Sequence, residues 1–105
     1  MEHPNMSYID AVSGGDESFK LKLISIVKEE LPEEVKIYNE NIGLKDFKEA
    51  AENVHKLKHK ISILGLEASY EMAVNYEENL KLGDMNLRED FEAILEKMIR
   101  FINTL

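Results

Sequence analysis

Cysteine and tryptophan are absent from the 105 residues, and only two prolines and five glycines punctuate them. Without cysteine there is no disulfide and no thiolate metal site, and thiol redox chemistry is excluded. No segment approaches the roughly 18 apolar residues of a membrane span. Met1 to Ser7 have no basic stretch leading into an apolar run, so a soluble, unprocessed chain is expected, with a cytoplasmic address compatible with the missing cysteine. Basic charge is scarce as well: 13 Lys and Arg stand against 21 Asp and Glu, for a formal net charge of -8. That balance repels the phosphates of nucleic acid and anionic lipid, so neither is an expected partner. There is no glycine-rich phosphate loop, which argues against an ATP-binding kinase domain. The acidic residues are spread along the chain with no pair singled out for hydrolytic acid-base work.

What the chain does have is helical periodicity. Apolar residues recur at spacings of three and four, and 44% hydrophobic content over this length suffices for one core. Asp16, after Gly14-Gly15, is a plausible N-cap for a helix with Phe19, Leu23, Ile26, Val27 and Leu31 on its apolar side. Pro32 is expected to kink or restart that helix, which then carries Val35, Ile37, Tyr38 and Ile42 to a left-handed stop at Gly43. The next element begins at Leu44 or Asp46 and runs to about Leu64, with Phe47, Val54, Leu57, Ile61 and Leu64 as a bundle seam and Gly65 as its stop. A helix from about Glu67 to Leu82 carries Ala68, Met72, Tyr76 and Leu80. The last, from about Leu87 onward, carries Phe91, Ile94, Leu95, Met98, Phe101 and Ile102. Short connections favour antiparallel neighbours. The expectation is an all-α single domain over 1–105: a short N-terminal capping helix at about 6–12, then an up-and-down antiparallel four-helix bundle over about 16–105.

The informative stretch is His55-Lys56-Leu57-Lys58-His59-Lys60, where the local charge reverses sign. Winding at about 100° per residue sets His55 beside the seam, where it can meet solvent, with His59 and Glu52 farther round. Lys58 lies one turn from His55 on the same side, within reach of an anion attached to the imidazole. A neutral imidazole is a good nitrogen nucleophile near neutral pH, and its phosphorylated form can pass the group on. A rigid helix presenting such a ring is half an active site, the partner bringing its own carboxylates and metal.

At these residues the chain resembles the histidine-containing phosphotransfer (Hpt) family, whose hallmark is a helix with His, a hydrophobic residue two later, Lys three later and Gly ten later. Here these are His55, Leu57, Lys58 and Gly65. Tyr8-Ile9 with Ser13-Gly14-Gly15-Asp16 is similar to the family's N-terminal segment, and Glu30-Leu31-Pro32 to its first long helix. The resemblance implies that His55 accepts a phosphoryl group from a receiver-domain aspartate and donates it to another, with Lys58 compensating the phosphate charge. Its implied partners are response-regulator receivers and a sensor histidine kinase, hybrid or otherwise. The domain itself would bind no cofactor, with Mg2+ on the receiver, and would act as a monomeric carrier without autokinase activity. Docking is expected around His55, on Lys48, Ala51, Glu52, His59 and Ser62, where the small Ala51 permits close approach. Gly65 serves as a structural turn.

One position departs from the pattern: the family commonly has glycine after the lysine, followed by a small residue, and here stand His59 and Lys60. The ring of His59 could obstruct the receiver or donate a hydrogen bond to the phosphoryl oxygens. The bland readings compete, since an exposed helical histidine is by default solvated, and Lys56 and Lys60 read as solvated-face residues. Ile63 points away from the seam, suited equally to receiver docking and to packing on the N-terminal helix. Two rivals remain: a His55/His59 metal site, with Glu52 one turn earlier but no fourth ligand, and a degenerate bundle that binds receivers without accepting phosphate.

Overall fold

Two aspartates start the two long helices. Asp16 accepts a hydrogen bond from the Phe19 amide (3.1 Å), and Asp46 from the Glu49 amide (3.2 Å), each satisfying a donor that the first helical turn leaves free. In the computed structural model, which describes residues 2–105, five helices follow one another: α1 (Ser7–Ser13), α2 (Glu17–Gly43), α3 (Phe47–Ile63), α4 (Glu67–Lys81) and α5 (Arg88–Ile102). No strand occurs among the described residues. Helix α2 packs on α3 and α5, α4 packs on the same two helices, and α1 lies against α2 and α3.

Pro32 does not restart α2, which runs through it from Glu17 to Gly43. Proline removes one backbone donor and crowds the preceding turn, yet Val27, Leu31, Tyr38 and Ile42 form a buried stripe on both sides of it. Packing on that stripe holds the helix through an exposed proline. Gly43 likewise does not take the left-handed turn; it is the last helical residue, and the positive φ (56°) falls on Lys45. Helix α2, at 27 residues, outruns partners of 15 to 17. Part of its expected apolar side is exposed: Phe19 in the first turn faces solvent, as do Ile26 and Ile37, each one residue off the buried stripe at Val27 and Tyr38, and Ala68 on α4.

The core joins Leu31, Val54, Leu57, Ile61, Leu80 and Met98 to an aromatic cluster of Tyr38, Tyr76 and Phe91. The Tyr38 and Tyr76 hydroxyls share a 2.6 Å hydrogen bond, and Tyr38 donates to Glu92 (2.9 Å), which also receives Arg88 (2.7 Å). Burial pushes both phenols up, so they stay neutral and bonded. Tyr76 locked inward turns its neighbour Glu77 toward α3. Lys60, expected on a solvated face, is instead buried, with its ammonium 3.0 Å from Glu30 and 3.2 Å from Glu34 of α2. The i, i+4 spacing of those glutamates places both on the α2 face that meets α3. Ile63 is half-buried against the core.

An N-terminal strap closes the α3–α4 turn. The Asn5 amide donates to the Leu64 carbonyl (2.8 Å). Glu2 accepts from the amides of Ala68 and Ser69 (both 2.9 Å) and from the Ser69 hydroxyl (3.0 Å), capping α4, which has no cap of its own. Burial pushes the Glu2 carboxyl up, but these hydrogen bonds outweigh it and hold the group below its ordinary range. Gly65 turns the chain at φ 77°, with the Asn5 side chain so close that an added Cβ would lie 2.8 Å from its Cγ. Gly65→Ala should lower the unfolding free energy by about 2 kcal/mol, from the left-handed backbone and the displaced strap. Urea unfolding checks this, and pairing it with Asn5→Gly should recover part of the loss.

Candidate functional site

Helix α3 turns its stripe of Ala50, Ala51, Val54, Leu57 and Ile61 inward, which leaves His55 at the edge of the α3–α4 contact with 53% of its side chain exposed. Its Nδ1 lies 3.4 and 3.3 Å from the two carboxylate oxygens of Glu77 on α4. An ionised carboxylate can only accept, so the proton of a neutral His55 sits on Nδ1 and the lone pair on Nε2. Glu77 is itself buried (8% exposed). Lys58 satisfies it most directly, with Nζ 2.8 Å from Oε1, while Lys81 stands 3.7 Å from Oε2. Burial pushes the Glu77 carboxyl up; the Lys58 hydrogen bond, with the charges of Lys58 and His55, overrides that and holds it below the ordinary carboxylate range.

Lys58 therefore sits where the helical wheel puts it, on the His55 side, but its ammonium is spent on Glu77. Only 12% of its side chain is exposed, and Nζ also lies 5.8 Å from the centre of the Tyr70 ring. His59 is exposed, with its ring edge-to-face on His55 at 5.5 Å between centroids. Lys48, Glu52 and Ser62 are exposed on the same helix, and Ser62 borders a groove lined by Asn5, Tyr8, Glu67 and Tyr70. Ala51 is a correction: it is 3% exposed and belongs to the core, so it offers a docking partner no surface. No group of three or more His, Asp or Glu among the described residues is arranged to hold a metal ion, so the His55/His59/Glu52 set gains no support.

The site is thus a half-exposed imidazole on a rigid helix, held from the α4 side by a buried carboxylate. The family model described as Hpt domain matches residues 22–103. The chain belongs to the Hpt domain family. The match covers α2 from its second turn through α5 and leaves α1 and the strap outside it. No curated protein and no solved structure matches the chain. Hpt domains carry phosphoryl groups on histidine in phosphorelays, a carrier's role and not that of a conventional enzyme. None of the helices among the described residues of this Hpt domain is long and apolar enough to cross a membrane.

Sequence reasoning missed Glu77 and Lys81. Glu77 looks like one of 21 scattered acids, yet it falls four residues after Ala73 and three before Leu80, on the buried side of α4. A carboxylate in that position requires a cation from the facing helix, and Lys58 is the one that α3 presents there. Lys58→Met should strand the carboxylate and lower the unfolding free energy at neutral pH by about 2–3 kcal/mol. Lys58→Met/Glu77→Gln should recover most of it. Because its folded pKa is depressed, Glu77 adds stability above the unfolded carboxyl value of about 4.3 and loses it as pH falls through the lower folded value. Urea unfolding in acid and at neutral pH should therefore show the variants converging on the wild type in acid.

Proposed function

We propose that His55 accepts a phosphoryl group at Nε2 from the aspartyl phosphate of a receiver domain and passes it to a second receiver. The observation carrying this reading is the contact of His55 Nδ1 with Glu77 on a ring that is half exposed to solvent. The Nε2 lone pair attacks phosphorus, the bond from phosphorus to the aspartyl oxygen breaks, and the aspartate leaves as a carboxylate with that electron pair. Nδ1 keeps its proton throughout. The ring consequently gains positive charge as the phosphoryl group arrives, and the Glu77 carboxylate is placed to stabilise that charge. Donation to the second receiver is the same step reversed.

The domain supplies the oriented nucleophile, and the receiver brings its own carboxylates and Mg2+, which polarise the transferring group. A sensor histidine kinase is the source of the phosphoryl group upstream. Docking falls on the surface around His55, where Lys48, Glu52, His59 and Ser62 are exposed. We read residues 1–105 as one monomeric, cytoplasmic Hpt unit whose helices α2 to α5 run up and down, the economical course for connections this short.

A phosphorylated receiver mixed with the protein and Mg2+ should transfer acid-labile, alkali-stable label to the wild type and none above background to His55→Gln. Label on both would move the acceptor elsewhere. Label on neither, across several receivers, would leave a bundle that binds receivers without accepting phosphate.

A further inference from the structure

The cation expected to serve the phosphoryl group, Lys58, is already engaged, and so is its neighbour Lys60. Lys58 is held 2.8 Å from a buried carboxylate, and Lys60 lies buried between Glu30 and Glu34. Withdrawing Lys58 from Glu77 to follow the incoming group would strand a desolvated charge. His59, by contrast, is exposed and has no hydrogen-bond or ion-pair partner among the described residues. Its ring stands at 80° to that of His55, close beside it. A histidine ring carries at least one N–H in either protonation state, so His59 always has a donor to offer.

Position decides between obstruction and assistance. With His59 in place, 53% of the His55 side chain remains exposed, so the neighbouring ring stands beside His55 without closing it off from solvent. A phosphoryl group on Nε2 projects its oxygens beyond the ring edge, into the space next to a donor one helical turn away. Resting on the assignment of His55 as carrier, we infer that His59 donates a hydrogen bond to the phosphoryl oxygens on His55 and stabilises the phosphorylated form against return to the receiver. Lys58 then acts chiefly through Glu77, as a positioning residue, and His59 is the side chain that touches the transferred group.

The quantity to measure is the equilibrium partition of label between one receiver and the protein, for the wild type, His59→Gly, His59→Leu and His59→Asn. Leucine preserves bulk and helix propensity without a donor, and asparagine restores a donor. Loss of one hydrogen bond to a charged group predicts a shift toward the receiver of about tenfold or more in the Gly and Leu variants, largely recovered by Asn. An unchanged partition in the Gly and Leu variants, or a shift toward the protein in His59→Gly, overturns the inference while leaving His55 as the labelled carrier. Failure of the wild type to take label from a competent receiver overturns the carrier reading, and this inference with it.

Discussion

The buried carboxylate of Glu77 is the group around which the site is organised. A charge in the α3–α4 contact has to be neutralised where it stands, because removing it from water costs several kcal/mol. Lys58 does so from α3, and Lys81 adds a weaker contact from the next turn of α4. With the charge retained, the carboxylate becomes a fixed acceptor that dictates which nitrogen of His55 holds its proton. The ion pair and the imidazole contact are one structure: Lys58 holds Oε1 of the carboxylate whose two oxygens both face His55 Nδ1.

Several distant features keep that carboxylate aimed at α3. The hydroxyl pair of Tyr38 and Tyr76, tied to Glu92 and Arg88, fixes the rotation of α4 one residue before Glu77. At the other end of the helix, Glu2 caps the first turn and Asn5 packs into the space that Gly65 leaves open. Lys60, clasped by Glu30 and Glu34, holds α3 to α2. Each is a polar contact closed within the bundle, and the His55 ring stays half exposed on the outer side of α3, beside His59.

Helix starts, the helical order and the exposure of His55 were legible from residue type and spacing. Asp16 and Asp46 are strong caps, and the seam from Val54 to Ile61 has one regular period. Less legible was whatever depends on contacts between helices. Pro32 reads locally as a break and is overridden by packing on both sides of it. Lys60 reads as solvated until Glu30 and Glu34 are placed opposite it. Ala51 was assigned to the surface because its small size suits a docking site, when small size suits a tight helix contact equally well. Glu77 was lost among many acids, although its place on the apolar side of α4 marked it as a carboxylate that required a partner.

With Lys58 and Lys60 held by carboxylates, the tautomer of the His55 ring is what the proposed chemistry rests on. The account therefore turns on which nitrogen of His55 is free. Long-range proton–nitrogen NMR correlation of 15N-labelled protein, before and after phosphorylation, reads this directly. The account predicts a proton on Nδ1 in the neutral resting ring and phosphorus coupled to Nε2 after transfer. A neutral resting ring protonated on Nε2, or phosphorus on Nδ1, would contradict it.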